Sequence, residues 1–372
     1  MPDLSQTPSP HLNSCSKCRT VPAGPPPAGT LYLCPQVDEL VPRLEAYLGG
    51  TGLPVTNPQP DMWAVEYADG QLDGLTDGLS RSLSKQEVSG IQALLLPAGR
   101  RPTMRDYMST RPLDTLLAEV QCRWLGEVMR HERLETHFQP IVPTADPDDV
   151  FAYECLIRGR GESGNLIPPG ELFKAARTAD LLFQLDRQAR LTAIRAAVRH
   201  GVTSRLFLNF NPSSIYTPSA CLKTTFQAVE EAGLDPAGIV FEVVESEEVH
   251  DTEHLIGILQ VYREAGFGIA LDDVGAGYSS LNLLTRLRPD FVKLDMGLTR
   301  GVDTDPYKAG VARKLLEMCR ELGVRTVVEG VETVGEWEWA KEHGADFAQG
   351  YLFARPAAVP PLPKAIAMAV GV

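Results

Sequence analysis

Phe267-Gly268-Ile269-Ala270-Leu271-Asp272-Asp273-Val274-Gly275-Ala276-Gly277-Tyr278-Ser279-Ser280 decides how the chain is read. Ile269 to Leu271 is a short apolar run of the kind a fully buried strand shows. Two carboxylates follow at once, and Gly275 and Gly277 free the backbone to turn sharply. Acids at the end of a buried strand are costly unless something compensates them. They either cap the following turn or helix, or they hold a hard divalent cation through their oxygens. Neighbouring residues on a straight strand face opposite ways. Both acids therefore reach one site only if the strand ends at Asp272.

Working outward, three more apolar runs carry an acid at or near their ends: 152–158 with Glu154, 239–245 with Glu242 and Glu245, and 326–330 with Glu329. A fifth, 291–295, carries Lys293. Strands are also expected at 138–142, 206–211 and 346–352. Helices are expected at 171–176, 181–200, 222–232, 253–265, 281–287, 307–322 and 336–343. The alternation implies a mostly parallel sheet with covering helices. The count suggests a closed α/β barrel of the (β/α)8, TIM-like kind, with its acids gathered at one end.

From about His137 to Pro356 the chain resembles the EAL family of cyclic-di-GMP phosphodiesterases. The family's name motif stands here as Glu154-Cys155-Leu156. Its Asp-Asp-Phe-Gly-Thr-Gly-Tyr-Ser-Ser loop stands at 272–280, with Val274 and Ala276 in place of Phe and Thr. Its Glu-Gly-Val-Glu motif is 329–332 and its Gln-Gly-Tyr-Leu-Phe motif is 349–353. The resemblance implies a modified barrel with one strand reversed. It also implies two Mg²⁺ or Mn²⁺ ions and hydrolysis of cyclic-di-GMP to linear pGpG. The metal ligands would be Glu154, Asn209, Glu242, Asp272, Asp273 and Glu329, with Asp272 bridging and Glu329 doubling as a base. Lys293 would lie beside the attacking water. Gln139, Leu156, Arg158 and Gln349 would touch the substrate. Glu245 and Gly275 would organise the loop, and Glu332 would support the ligands from behind. A homodimer is expected.

Each position has a plainer reading. On a strand Glu154, Leu156 and Arg158 share a face, so Glu154 and Arg158 either pair with each other or serve a metal and a phosphate. Cys155 on the far face packs as a small hydrophobe. Asn209 at a strand end either begins a turn or is a ligand; the following Phe210-Asn211 departs from the family's commoner Val-Ser. Glu245 reads alone as an exposed acid in an acidic run. Lys293 either snorkels to the surface or is buried between Val292 and Leu294. Some family members only bind the nucleotide, and these usually lose several acids; here all are present, which favours an enzyme over a receptor.

The 372 residues allow two domains. Hydrophobic content of 44% and charged content of 22% are those of an ordinary soluble protein. A net charge of −13 argues against non-specific nucleic-acid binding and against anionic membranes. No run reaches the roughly 18 apolar residues of a membrane span, and the first ten residues do not read as a signal peptide. Seven scattered cysteines suggest a reducing, cytoplasmic setting. Residues 1–29, rich in Pro, Ser and Gly, read as a disordered lead. Within them Cys15 and Cys18 read as unpaired thiols in a flexible tail, or else as a redox pair or half of a Zn²⁺ site that His11 and Cys34 would complete. Residues 30–102 read as a small α+β unit with the β-α-β-β-α-β order of a ferredoxin-like fold. Residues 103–134 read as a connector carrying one long helix from Pro112 to about Glu132, and 135–372 as the barrel.

Overall fold

The computed structural model describes residues 21, 24–215, 221–244, 252–275 and 280–364. Cys15, Cys18, Glu245 and 276–279 lie outside the described residues. Two compact units are present. One holds the described residues up to Arg133 together with Gly170–Leu182, and the other holds Leu134–Pro169 and the described residues from Phe183 onward.

The first unit is built on five strands: β1 (Gly29–Pro35), β2 (Val55–Gln59), β3 (Met62–Tyr67), β4 (Ile91–Pro97) and the short β5 (Arg111–Pro112). Every neighbouring pair is antiparallel, in the order β2-β3-β1-β4-β5. The first four strands with helices Val41–Gly49 and Gln71–Ser82 have the connectivity expected of a ferredoxin-like unit. The second strand runs through Pro58 to Gln59. A proline is tolerated there because β2 is the edge strand and Pro58 falls between Thr56 and Gln59, where the register with β3 shifts. The single connecting helix is two, Leu113–Gln121 and Arg123–Arg130, broken at Cys122. Leu113, Leu116, Leu117 and Val120 bury into the core of this unit beside Leu31, Leu33 and Leu79. The first helix is thus part of the N-terminal fold rather than a spacer.

The second unit is a closed barrel of eight strands: β6 (Leu134–Pro143), β7 (Ala152–Arg160), β9 (Arg205–Asn209), β10 (Ile239–Val244), β11 (Gly268–Val274), β12 (Phe291–Leu294), β13 (Arg325–Val328) and β14 (Phe347–Gln349). A two-residue strand, β8 (Leu166–Ile167), pairs antiparallel with the end of β7. All barrel neighbours are parallel except β6, which runs against both β7 and β14 and closes the ring. Alternation along the strands sorts the side chains. Tyr153, Cys155, Leu208, Phe241, Ile269, Leu271 and Val292 point outward, into a core shared with helix residues such as Ile194, Leu255 and Leu259. Cys155 is buried there, and burial pushes its thiol well up. Inside, each strand contributes one side chain to an apolar floor: Ile141, Ala152, Phe207, Val240, Ala270, Phe291, Val327 and Phe347.

Candidate metal centre and substrate pocket

The site is the next layer above that floor. Two residues further along each parallel strand, or two back on the reversed β6, stand Gln139, Glu154, Asn209, Glu242, Asp272, Lys293, Glu329 and Gln349. Because strand side chains repeat every second residue, eight strands that fill one layer with apolar groups necessarily present eight positions in the layer above. Here all eight are polar.

Lys293 occupies the middle. It is 1% exposed, and its Nζ lies 2.7 Å from Glu242 Oε1, 2.7 Å from Glu329 Oε1, 3.0 Å from Asp272 Oδ1 and 3.7 Å from Glu154 Oε2. It does not snorkel. Burial works against the ammonium, but the surrounding carboxylates outweigh it and raise its pKa well above the usual lysine value. The acids feel the same burial in the opposite sense: it pushes Glu242 and Glu329 well up and Asp272 up, against the pull of the one lysine. Burial, with Asp272 beside it, pushes Asp273 up to about 6. The amides complete the ring. Asn209 Nδ2 donates to Glu154 Oε1 at 3.2 Å, and Gln349 Nε2 donates to Glu154 Oε2 at 2.6 Å and to Gln139 Oε1 at 3.3 Å.

The adjacent acids reach one side without ending the strand, which corrects the expectation that it stops at Asp272. β11 continues to Val274 through a bulge. Leu271 pairs with Val292 and Val274 with Leu294, so Asp272 and Asp273 together oppose Lys293 alone. Asp273 takes the left-handed conformation, φ +55°, which aspartate tolerates better than most residues. One carboxylate oxygen each from Asp272, Asp273 and Glu329 then lies within 4.8 Å of the others. Gly275 follows at φ +108°, and a Cβ there would come 2.2 Å from Leu298 Cδ1.

This donor set fits a hard divalent cation. Five carboxylates face one ammonium, and all offer oxygen. Glu242 is fully buried, and neither of its oxygens has a hydrogen-bond partner among the described residues. Lys293 approaches Oε1 closely, but as an ion-pair partner out of hydrogen-bond alignment.

Over the layer opens a pocket of about 480 Å³. Of the residues singled out in the sequence, Gln139, Glu154, Leu156, Asp273, Glu329, Glu332 and Gln349 line it. Arg158 does not; its Nη1 donates to its own neighbour's carbonyl, Ile157 O, at 2.8 Å. Asp295, Met296, Arg300 and Tyr351 line the pocket and were not foreseen as site residues. Asp295 and Tyr351 sit inside runs already picked out in the sequence, whereas nothing local marks Arg300, which pairs across the wall with Glu332.

An oxygen-rich cluster at the end of a mostly parallel barrel, beneath an open pocket, is an arrangement able to hold a divalent cation. The chain belongs to the EAL domain family, which it matches over residues 123–356. It is 31% identical over 235 residues to the cyclic di-GMP phosphodiesterase NbdA of Pseudomonas aeruginosa, covering 62% of this chain and 30% of that protein. It is 27% identical over 237 residues to the cyclic di-GMP phosphodiesterase PdeR of Escherichia coli K12, covering 62% and 35%. The chain thus spans about a third of the length of these relatives. A standalone EAL protein from Vibrio cholerae O395, solved with c-di-GMP bound, is 34% identical over 62% of this chain and 95% of its own, with a TM-score of 0.56. Klebsiella pneumoniae BlrP1, solved as a manganese/cy-diGMP complex, shares the fold at 24% identity, TM-score 0.55, over 89% of this chain and 96% of its own.

Proposed function

We propose that this chain hydrolyses cyclic-di-GMP to linear pGpG with the help of two divalent cations, Mg²⁺ or Mn²⁺. The observation that carries the reading is the polar layer, four carboxylates around one buried lysine, with Asp273 beside it, at the mouth of a barrel whose relatives are named for this activity. Glu154, Asn209, Glu242, Asp272, Asp273 and Glu329 would hold the cations. Bound there, they would supply Lewis acidity and a water of lowered pKa.

The remaining work falls to the chain. Water oxygen attacks one phosphorus, the bond from that phosphorus to the ribose 3′ oxygen breaks, the leaving oxygen takes up a proton, and the ring opens with a 5′-phosphate at one end and a 3′ hydroxyl at the other. Lys293, held charged by its acids, would present a fixed positive charge beside the attacking water. Glu329, which lines the pocket, would take the water's proton. Gln139 and Gln349 offer amides to the nucleotide, and Leu156 and Met296 give the pocket apolar wall. Arg158 reaches a phosphate only by leaving the Ile157 carbonyl.

The homodimer belongs to the same proposal. Helix Pro306–Glu321 leaves Tyr307 and Val311 exposed at helical spacing, with Leu322 exposed just past its end. So does a cytoplasmic address. Cys34, Cys122, Cys155, Cys221 and Cys319 are unpaired, and among the described residues no helix is long and apolar enough to cross a membrane. The deciding experiment is chromatography of cyclic-di-GMP incubated with the purified chain, with and without Mn²⁺. Metal-dependent appearance of pGpG is expected. Binding with no cutting in any metal would make the chain a receptor, and cutting without metal would end the mechanism.

A further inference from the structure

Glu336 stands in the first turn of helix Val334–Glu342, and it is 4% exposed. Half of its environment is ordinary helix capping. Thr333 Oγ1 accepts from Glu336 N at 3.2 Å, and Glu336 Oε2 accepts from Thr333 N at 3.0 Å. The other half is not capping. Oε2 also accepts from Glu332 N at 2.8 Å, and Oε1 accepts from Gly301 N at 2.7 Å, 35 residues earlier in the chain. Three backbone N–H donors thus converge on one buried carboxylate. They outweigh the burial and hold its pKa below the usual range.

Two pocket-wall segments meet on that carboxylate. The turn after β12, which includes the short helix Met296–Thr299, carries Asp295, Met296 and Arg300, and the turn after β13 carries Glu329, Gly330 and Glu332. They are already in close contact. Thr299 Oγ1 donates to the Glu329 carbonyl. Gly330 has φ +68°, and a Cβ there would lie 2.4 Å from Met296 Cβ.

We propose that Glu336 is a positioning residue: its carboxylate clamps the turn after β12 to the turn after β13, and so fixes Glu329 and the adjoining pocket wall for the reaction. The kinetic half of this inference rests on the hydrolysis proposed above; the structural half does not.

The test compares Glu336→Ala and Glu336→Gln with the unaltered chain by pGpG production, thermal melting, and hydrogen exchange of the Gly301 and Glu332 amides without nucleotide or metal. Alanine removes every acceptor. Glutamine keeps the reach but only one acceptor oxygen, so it retains part of the clamp. Groups that support metal ligands typically carry ten- to hundredfold effects, so kcat should fall about tenfold in Glu336→Ala and by less in Glu336→Gln. The two amides should exchange faster in the same order, with KM moving less than kcat. Unchanged kcat with amides still protected would overturn the clamp. So would a lower melting temperature with kcat per folded molecule intact, which would leave only a helix cap. If Glu336→Ala does not fold, Glu336→Gln decides by the same readings. If the unaltered chain cuts nothing, the hydrolysis reading fails while amide exchange still judges the clamp.

Discussion

Replacing Lys293 with methionine is the sharpest perturbation of the polar layer. The side chains are similar in length, so packing between Val292 and Leu294 is kept while the layer's only cation is lost. Its Nζ is within 3.0 Å of Glu242, Glu329 and Asp272 and 3.7 Å from Glu154. Without it, four acids of one layer face one another uncompensated. Removing one partner of a buried ion pair costs about 3–5 kcal/mol. For a barrel of this size each kcal/mol moves the melting temperature by about 2–4 °C, so the metal-free variant should melt roughly 6–20 °C below the unaltered chain. Mn²⁺ should recover much of that loss, because bound cations supply the missing charge, and the metal-induced shift should be larger in the variant. Turnover should stay at least about 100-fold down even with metal, since a fixed charge at the reacting group is gone. Circular-dichroism melts in chelator and in Mn²⁺, with chromatography of the nucleotide, measure all three. Equal melting in chelator would refute the reasoning: it would mean that the layer does not depend on the ammonium for its charge balance.

Glu154→Gln should keep the shape of the layer and cost about 100-fold in turnover by weakening a ligand; near-normal pGpG production would remove Glu154 from the ligand set. Ca²⁺ takes six to eight oxygens at about 2.3–2.6 Å, whereas Mg²⁺ demands six at about 2.0–2.1 Å. Cyclic-di-GMP should therefore bind by calorimetry in Ca²⁺ without being cut, and be cut after exchange into Mn²⁺. Gly275→Ala forces a side chain onto a left-handed backbone and against Leu298. It should destabilise the barrel by about 1–3 kcal/mol in chemical denaturation and lower turnover, and wild-type values for both would show that the end of β11 rebuilds at no cost.

The parts of the site legible in the sequence are those set by strand period alone. Ala152 with Glu154, Val240 with Glu242 and Phe291 with Lys293 are apolar–polar pairs two apart, and they land in successive layers of one interior. The repeat resolves positions on straight strands and nothing else. It failed at Asp272-Asp273, where it demanded a strand end. The backbone instead inserts a residue and turns Asp273 left-handed, a solution that depends on the neighbouring β12 supplying only Lys293 opposite two acids. At Arg158 the parity is right, and what the repeat leaves open is the side chain's course, which turns Nη1 to the Ile157 carbonyl. No proline or glycine marks Cys122, so the break between Leu113–Gln121 and Arg123–Arg130 had no local sign.

Contacts between distant turns were illegible for a different reason. Glu336 reads as the third residue of a capping box after Thr333, and that local role hides its bond to Gly301. Yet the layer needs such a tie. β13 ends at Val328, so Glu329 stands beyond the regular strand, and its backbone N–H still reaches β12 through the Leu294 carbonyl at 3.2 Å. A carboxylate on free loop would turn to water and leave Lys293 with three near partners instead of four. Holding Glu329 over the barrel therefore costs hydration that neither strand can offset by itself. The bonds from Thr299, Gly301 and Glu332 are the groups in place to offset it. On this argument the charge balance around Lys293 and the clamp at Glu336 are one device, and the two sets of variants should prove non-additive when combined.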